Sequence, residues 1–276
     1  MKKRKILILI GDVAGLAVCF MVFVIPFLFM ILNSLKDKKS ANKLSLSLPE
    51  VWHWENFREV FETRNYIILT AFKNSFILTA GAVFILIIVG SMAGYVIQRR
   101  RDKVTAVANI LIMSGLMIPP AILPGIWVMQ RLHIYKTLFG MILVETALNI
   151  PFTIMLYRGF MSSVPVELEE AGYIDGCERF QLYRKIIFPL LKPVTATVII
   201  LCSVGVFNDF TNPLYFLPGS KNTTVQLTLY SFMGQFSSSY HLLFANVLII
   251  TIPMLILFLI FNKKIVAGMT AGAVKG

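Results

Sequence analysis

Apolar residues come in long runs separated by short polar stretches, and those runs predict the architecture. Six of them read as membrane spans: Ile6–Leu32, Ala71–Ile97, Val104–Val128, Leu138–Tyr157, Val194–Phe210 and Leu242–Phe261. A helix needs roughly 20 apolar residues to cross the hydrocarbon core. The spans must be helical, because lipid offers nothing to satisfy an open backbone. The first run follows MKKRK, as a signal peptide would. Its length, about 27 residues, and its lack of a small-residue cleavage site predict a retained helix instead.

Composition supports this pattern. Apolar residues make up 57% of the 276-residue chain and charged residues 14%, with a mean hydropathy of +0.76. A soluble domain carries about 25% charged residues, too many to be reconciled with this chain. The expected fold class is an all-α integral membrane protein with six transmembrane helices. Orientation follows the distribution of Lys and Arg. The N-terminus, QRRRDK at 98–103, the loop 158–193 and the tail after Phe261 together hold 16 of the 26 basic residues. These are the expected inner segments, with both termini cytoplasmic. Net charge is +12, but much of it sits in MKKRK and QRRR, which flank spans as topology signals, so nucleic acid is not an expected partner. In the outer segment, LPEVWHWENFREVF (48–61) spaces Trp52, Trp54, Phe57 and Val60/Phe61 as a short amphipathic helix would, lying at the membrane interface.

The loop 158–193 differs from the rest. It holds ten charged residues, five of each sign. Burying even one at the bilayer centre costs about 2.5–3.5 kcal/mol, so the loop is aqueous. Pro165 suits a first helical turn, and Glu167, Glu169 and Glu170 then stand near the positive end of the helix dipole. Gly176 ends the helix where a positive φ is inexpensive. About ten residues do not form a stable helix alone, so it must dock. Leu168, Ala171, Gly172 and Asp175 share one stripe, with the small Ala171 and Gly172 permitting close approach. A second helix is expected from Glu178 to Phe188, with Phe180, Tyr183/Arg184 and Ile187 on one side and Pro189 as its stop. Such a knuckle would pass a push directly into the next span. From composition alone, a hairpin that only caps the bundle remains the alternative.

Glu170-Ala171-Gly172, three residues, Gly176, nine residues, Ile186, one residue, then Phe188-Pro189 resembles the EAA motif of binding-protein-dependent ABC importer permeases. It departs from that pattern at Gly172 (for Ala) and Phe188 (for Leu). NSFILTA at 74–80, AGYVIQRR at 93–100, MIPPAILP at 117–124 and GMTAGAVKG at 268–276 are similar to the carbohydrate-uptake, maltose-permease-like branch. The resemblance covers nearly the whole chain and implies a type I ABC importer permease fold. It divides the chain into an N-terminal helix and external segment (1–70), a permease core (71–265) containing the coupling loop 158–193, and a cytoplasmic tail (266–276). It implies that Leu168, Glu170, Ala171, Gly172, Asp175 and Gly176 couple to an ATPase, with Glu170 pairing with a basic group there. It implies that the tail, with Lys275, reaches toward the ATPase dimer. The implied partners are a second permease, making a heterodimer, two cytoplasmic ATPase subunits and an external solute-binding protein. ATP and Mg2+ would be held by the ATPase subunits, with no cofactor and no catalysis on this chain. The implied location is a bacterial cell membrane.

The residues agree in part. No GxxxxGK[ST] phosphate loop occurs. Cys19, Cys177 and Cys202, like His53, His133 and His241, are scattered, and neither a metal site nor disulfides are expected. Polar groups at membrane depth mark a pathway: Glu145 inside the fourth span, and Asn208, Asp209 and Asn212 at the end of the fifth. Phe207, Phe210, Tyr215 and Phe216 nearby could supply faces for a sugar. The same groups could instead cap a helix end or bond across a helix interface. GDVAG at 11–15 and GSMAG at 90–94 match small-residue helix packing. Other solutes (a polyol, glycerol phosphate or an amino acid) fit the same importer class. An ion-coupled secondary transporter would rest on Glu145 alone, and an intramembrane enzyme lacks a paired nucleophile and base.

Overall fold

The apolar runs fold as helices, and the described residues contain no β-strand. The computed structural model describes residues 2–233 and 239–273. Its helices are α1 (Lys2–Cys19), α2 (Ile25–Ser34), α3 (Lys38–Ala41), α4 (Glu55–Glu62), α5 (Ile67–Arg99), α6 (Lys103–Ser114), α7 (Ile122–Arg131) and α8 (Leu138–Met161). They continue as α9 (Glu167–Ile174), α10 (Arg179–Leu182), α11 (Phe188–Leu190), α12 (Lys192–Asn208), α13 (Thr211–Phe216) and α14 (Tyr240–Ala273). A π-helical turn, Phe20–Val24, joins α1 to α2.

Four stretches are long and apolar enough to cross a membrane: Gly11–Ser34, Ile67–Arg99, Leu138–Met161 and Tyr240–Ile260. A fifth is formed if Arg179–Leu190 and Lys192–Asn208, bent by 72°, count as one span. The third expected span is not one helix. Between α6 and α7 stand Pro119 and Pro120, which donate no hydrogen bond and push the preceding residue out of helical geometry. At 1.5 Å per residue the 12 residues of α6 reach about 18 Å, short of a ~30 Å core.

The chain divides into two units. The first comprises Met1–Leu69 with Leu227–Ile252. The apolar side chains of Leu16, Phe20 and Phe23 are more than half exposed, as expected of a surface that meets lipid. Beyond α2 the chain knots. Lys36 is buried and donates to Ser45 O (2.7 Å), Asn33 Oδ1 (3.2 Å) and Ser45 Oγ (3.2 Å), and burial lowers its pKa. Asn56 donates to Ser34 O and Lys36 O at 2.8 and 2.9 Å, pinning α4 to this knot. Trp52 and Trp54 precede α4 rather than belonging to it; they stack on each other and stay exposed.

The second unit comprises Thr70–Gln226 with Pro253–Gly276. Here α5 crosses α8 through GSMAG. A Cβ on Gly90 would lie 2.5 Å from Thr153 Cγ2, and one on Gly94 would lie 2.7 Å from Tyr157 Cβ. Gly11 and Gly15 have nothing within that reach among the described residues. One core gathers Leu86, Tyr157, Met161, Ile187, Leu191 and Val198 from α5, α8, the hairpin and α12. Another gathers Leu78, Ala82, Met141, Val206 and Phe216. Residues 274–276 of the expected tail, with Lys275, lie outside the described residues.

Candidate functional site

The charged loop forms a helical hairpin. Pro165 lies just outside its first helix, α9, whose N-cap is Val166. Glu167, Glu169 and Glu170 occupy the first turn, facing the partial positive charge of unpaired N–H groups. The far end closes on Gly176 at φ +80°. There Cys177 N donates to Gly172 O (2.9 Å) and Gly176 N to Tyr173 O (3.0 Å). This pair of bonds satisfies carbonyls that a helix end leaves open, and it requires a left-handed residue.

The two sides of α9 have different environments. Glu169 is buried: its Oε1 accepts from Arg99 Nε at 2.5 Å and its Oε2 from Tyr95 Oη at 2.9 Å. Arg99 Nη2 also donates to Val164 O at 2.8 Å. The last turn of α5 is thereby tied both to α9 and to the chain leading into it. Gly172, three residues after Glu169, belongs to this inner side. A Cβ there would meet Leu182 Cδ1 at 2.5 Å and Ile186 Cδ1 at 2.7 Å. The sequence stripe placed Gly172 on the outward coupling face; its close approach is instead to the hairpin's own second arm. Leu168, Glu170, Ala171, Asp175 and Gly176 are exposed. They share that surface with Ile174, a large aliphatic side chain at 85% exposure.

The second arm continues past Pro189. It runs through α10, a π-helical turn at Tyr183–Ile187, and α11. Proline at the first turn of α11 forfeits no bond there, so the chain bends beyond it, at Leu191 before α12. Leu182 and Ile187 are fully buried, whereas Phe180 is 64% exposed. Tyr183 bonds Ser91 of α5 (2.6 Å), and its ring packs against Tyr95 and Phe188 with centroids 5.8 and 6.0 Å away. The hairpin is therefore fastened to α5 by both arms.

The polar residues at membrane depth form a second group. Glu145 is 2% exposed and stands beside Asp209. Asn149 Nδ2 donates to Glu145 O at 2.9 Å and approaches Oε2 at 3.5 Å, while Glu145 Oε1 has no donor among the described residues. Asp209 accepts from Thr211 N (2.9 Å), Asn212 N (3.3 Å) and Asn212 Nδ2 (2.6 Å), capping the turn between α12 and α13. Asn208 accepts from Gln226 at 3.0 Å. Of the four aromatics expected here, Phe207 and Phe216 are buried in packing, and Tyr215 is the exposed one. The network of Tyr95, Arg99 and Glu169 was missed from sequence. Its signal was available: Tyr95 and Arg99 stand one turn apart at the end of an apolar run, on one helix face.

The chain belongs to the family of binding-protein-dependent transport system inner membrane components, whose model matches residues 86–270. It is thus a multi-pass inner-membrane ABC transporter permease, from a family of transporters rather than enzymes. It is 34% identical over 255 residues to the melibiose/raffinose/stachyose import permease protein MelC of Bacillus subtilis, covering 91% of each chain. It is 32% identical, in a comparison of 280 positions that covers 100% of each chain, to the multiple sugar-binding transport system permease protein MsmG of Streptococcus mutans. Its fold matches a chain of a bacterial ABC transporter that imports the acidic polysaccharide alginate, with a TM-score of 0.81 at 19% identity over 95% and 97% of the two chains. A second alginate transporter structure, in complex with a pentasaccharide-bound periplasmic protein, matches at TM-score 0.71 and 13% identity over 94% of each chain.

Proposed function

We propose that this chain is one transmembrane subunit of an ATP-driven carbohydrate importer, and that α9 is the helix through which an ATPase subunit drives it. The observation that carries this reading is the division of α9 into two sides. Glu169 and Gly172 are fixed inside the subunit, while Glu170, Ala171, Ile174 and Asp175 are left exposed. A helix of eight residues held this firmly, with an exposed isoleucine at its end, suits contact with another protein. Movement of α9 would reach α5 through Arg99 and α12 through the second arm, switching the spans between inward-facing and outward-facing states.

In this reading the hairpin and both termini are cytoplasmic, in keeping with the excess of Lys and Arg in those segments. A related permease completes a heterodimer, two ATPase subunits hold ATP and Mg2+, and an external binding protein delivers the solute. The names of MelC and MsmG support an oligosaccharide as that solute. Glu145, with one carboxylate oxygen lacking a donor, and the Asn208, Asp209 and Asn212 turn supply acceptors and donors for sugar hydroxyls along the path.

The test is affinity purification of the tagged chain from its native membrane, comparing wild type with Gly176→Asp. An ATPase and a second permease should accompany the wild type, and the ATPase should be lost from the variant. A wild-type chain that purifies alone and still transports would overturn the reading. Uptake of labelled oligosaccharide, polyol, glycerol phosphate and amino acid by the reconstituted complex decides the solute class.

A further inference from the structure

One hollow of the second unit lies away from the polar group around Glu145. It is a groove of about 460 Å³ between the last turns of α5 and the hairpin. Arg100 and Arg179 stand on its rim, and Met92, Val96, Tyr173 and Phe180 supply apolar and aromatic wall. All six are exposed. Its floor is the ion pair of Arg99 with Glu169, whose charges offset each other. Neither the Arg100 nor the Arg179 side chain makes an ion pair or a hydrogen bond among the described residues; Arg100 also acts on the Asp102 carboxylate, whose pKa it helps to lower, and both positive charges stand at the groove.

Its place in the fold says what those charges meet. Met92 and Val96 belong to the final turns of a 33-residue apolar helix, and Arg99 is that helix's last residue. The groove therefore begins at the level of the acyl chains and opens at the level of the headgroups. Met92 and Val96 are each about 40% exposed on a face that would meet hydrocarbon. The two arginines stand above them, where a phosphodiester lies. Arginine presents a planar fork of donors matched to phosphate oxygens. Basic pockets beside transmembrane helices are known to receive anionic headgroups.

We propose that this groove binds one anionic phospholipid, with its phosphate on Arg100 and Arg179 and an acyl chain along Met92 and Val96. The lipid would pack against Tyr173 and Phe180 and so brace the hairpin on α5 from the bilayer side. This site depends on the membrane-spanning reading of α5 and not on the ATPase partner, so either idea survives failure of the other.

The test uses the full-length permease, with whatever subunits accompany it, in phosphatidylcholine nanodiscs doped with phosphatidylglycerol, read by native mass spectrometry. The wild type should retain one phosphatidylglycerol per chain and no phosphatidylcholine. A basic residue near an anionic lipid surface is worth about fivefold in affinity, so Arg100→Gln with Arg179→Gln should weaken retention about 25-fold. The charge-keeping pair Arg100→Lys with Arg179→Lys should hold most of it, which separates lost binding from lost folding. Equal retention of both lipids, or phosphatidylglycerol retained undiminished by the Gln pair, overturns the proposal. So does full displacement of the lipid by inorganic phosphate, since the apolar wall would then contribute nothing.

Discussion

Glu169→Ala should release the first arm of the hairpin from α5. In the wild type the Glu169 and Arg99 side chains are 8% and 16% exposed, and the carboxylate takes bonds from both Arg99 and Tyr95. Breaking a buried ion pair by removing one member costs about 3–5 kcal/mol, because the other charge stays buried and unpaired. Arg99 retains its bond to Val164 O and some access to water, which places the cost at about 2–3 kcal/mol, the range of hydrogen bonds to charged groups. At 1.4 kcal/mol per tenfold, the undocked population of α9 should rise about 30- to 150-fold. Hydrogen–deuterium exchange of the permease in nanodiscs reads this directly. Amides of 167–174 should exchange faster by that factor, while those of α8 keep their wild-type rates. Glu170→Ala, at an exposed position on the same turn, should speed α9 exchange by no more than about fivefold, the loss of one charge at the positive end of the helix dipole. If Glu169→Ala leaves it within about threefold of wild type, the tie between hairpin and span contributes nothing and the argument fails.

Other consequences concern packing, turn geometry and a cap. Gly94→Ala would press a Cβ onto Tyr157 Cβ and within 3.1 Å of the Arg158 backbone nitrogen, which does not yield, whereas Gly11→Ala meets nothing. The first should destabilise by about 1–3 kcal/mol and the second hardly at all, as compared by thermal unfolding in detergent. Gly176→Ala places a Cβ at φ +80° and should cost about 1–2 kcal/mol, seen as faster exchange at Cys177 and in the last turn of α9. Asp102 has its pKa lowered by bonds from the Thr105 backbone and hydroxyl at the start of α6. Its depressed folded pKa makes its stabilisation fully present above the ordinary carboxylate value of about 3.9 and lost as pH falls through the folded one. Asp102→Ala should thus lower the unfolding temperature at neutral pH, with the difference from wild type closing in strong acid.

Much of the architecture could be read from periodicity and punctuation. The expected span Leu138–Tyr157 is found within α8, and Gly176 ends its helix by the left-handed turn expected of it. The errors have physical causes. Hydropathy measures apolar character and not helical continuity, so the Pro119-Pro120 pair, plain in the residues, does not interrupt the apolar run that hydropathy follows. A helical stripe says which residues share a face, but not which face is inward. At 100° per residue Gly172 lies at the edge of the stripe through Leu168 and Asp175, and beside the one through Glu169. The inward side of α9 is decided by Glu169 meeting Arg99, 70 residues earlier in the chain, and by Gly172 meeting Leu182 and Ile186 of the second arm, contacts that the pattern of the helix itself does not encode. At the Asn208–Asn212 turn the local chemistry was legible as polar, yet Phe207 and Phe216 proved to be packing groups, because burial depends on α5 and the neighbouring helices.

The central claim is that energy enters through the outward side of α9, and Ala171→Leu probes it most directly. Ala171 is exposed, so a larger side chain fits the isolated subunit but obstructs a close-fitting partner. The measurement is ATP-dependent uptake of a labelled oligosaccharide into proteoliposomes carrying the co-purified complex. The account predicts uptake by wild type that requires ATP, and its loss in Ala171→Leu while the second permease still co-purifies and α9 exchange is unchanged. Uptake by the variant at the wild-type rate, or uptake by the wild-type chain without any ATPase subunit, would contradict it.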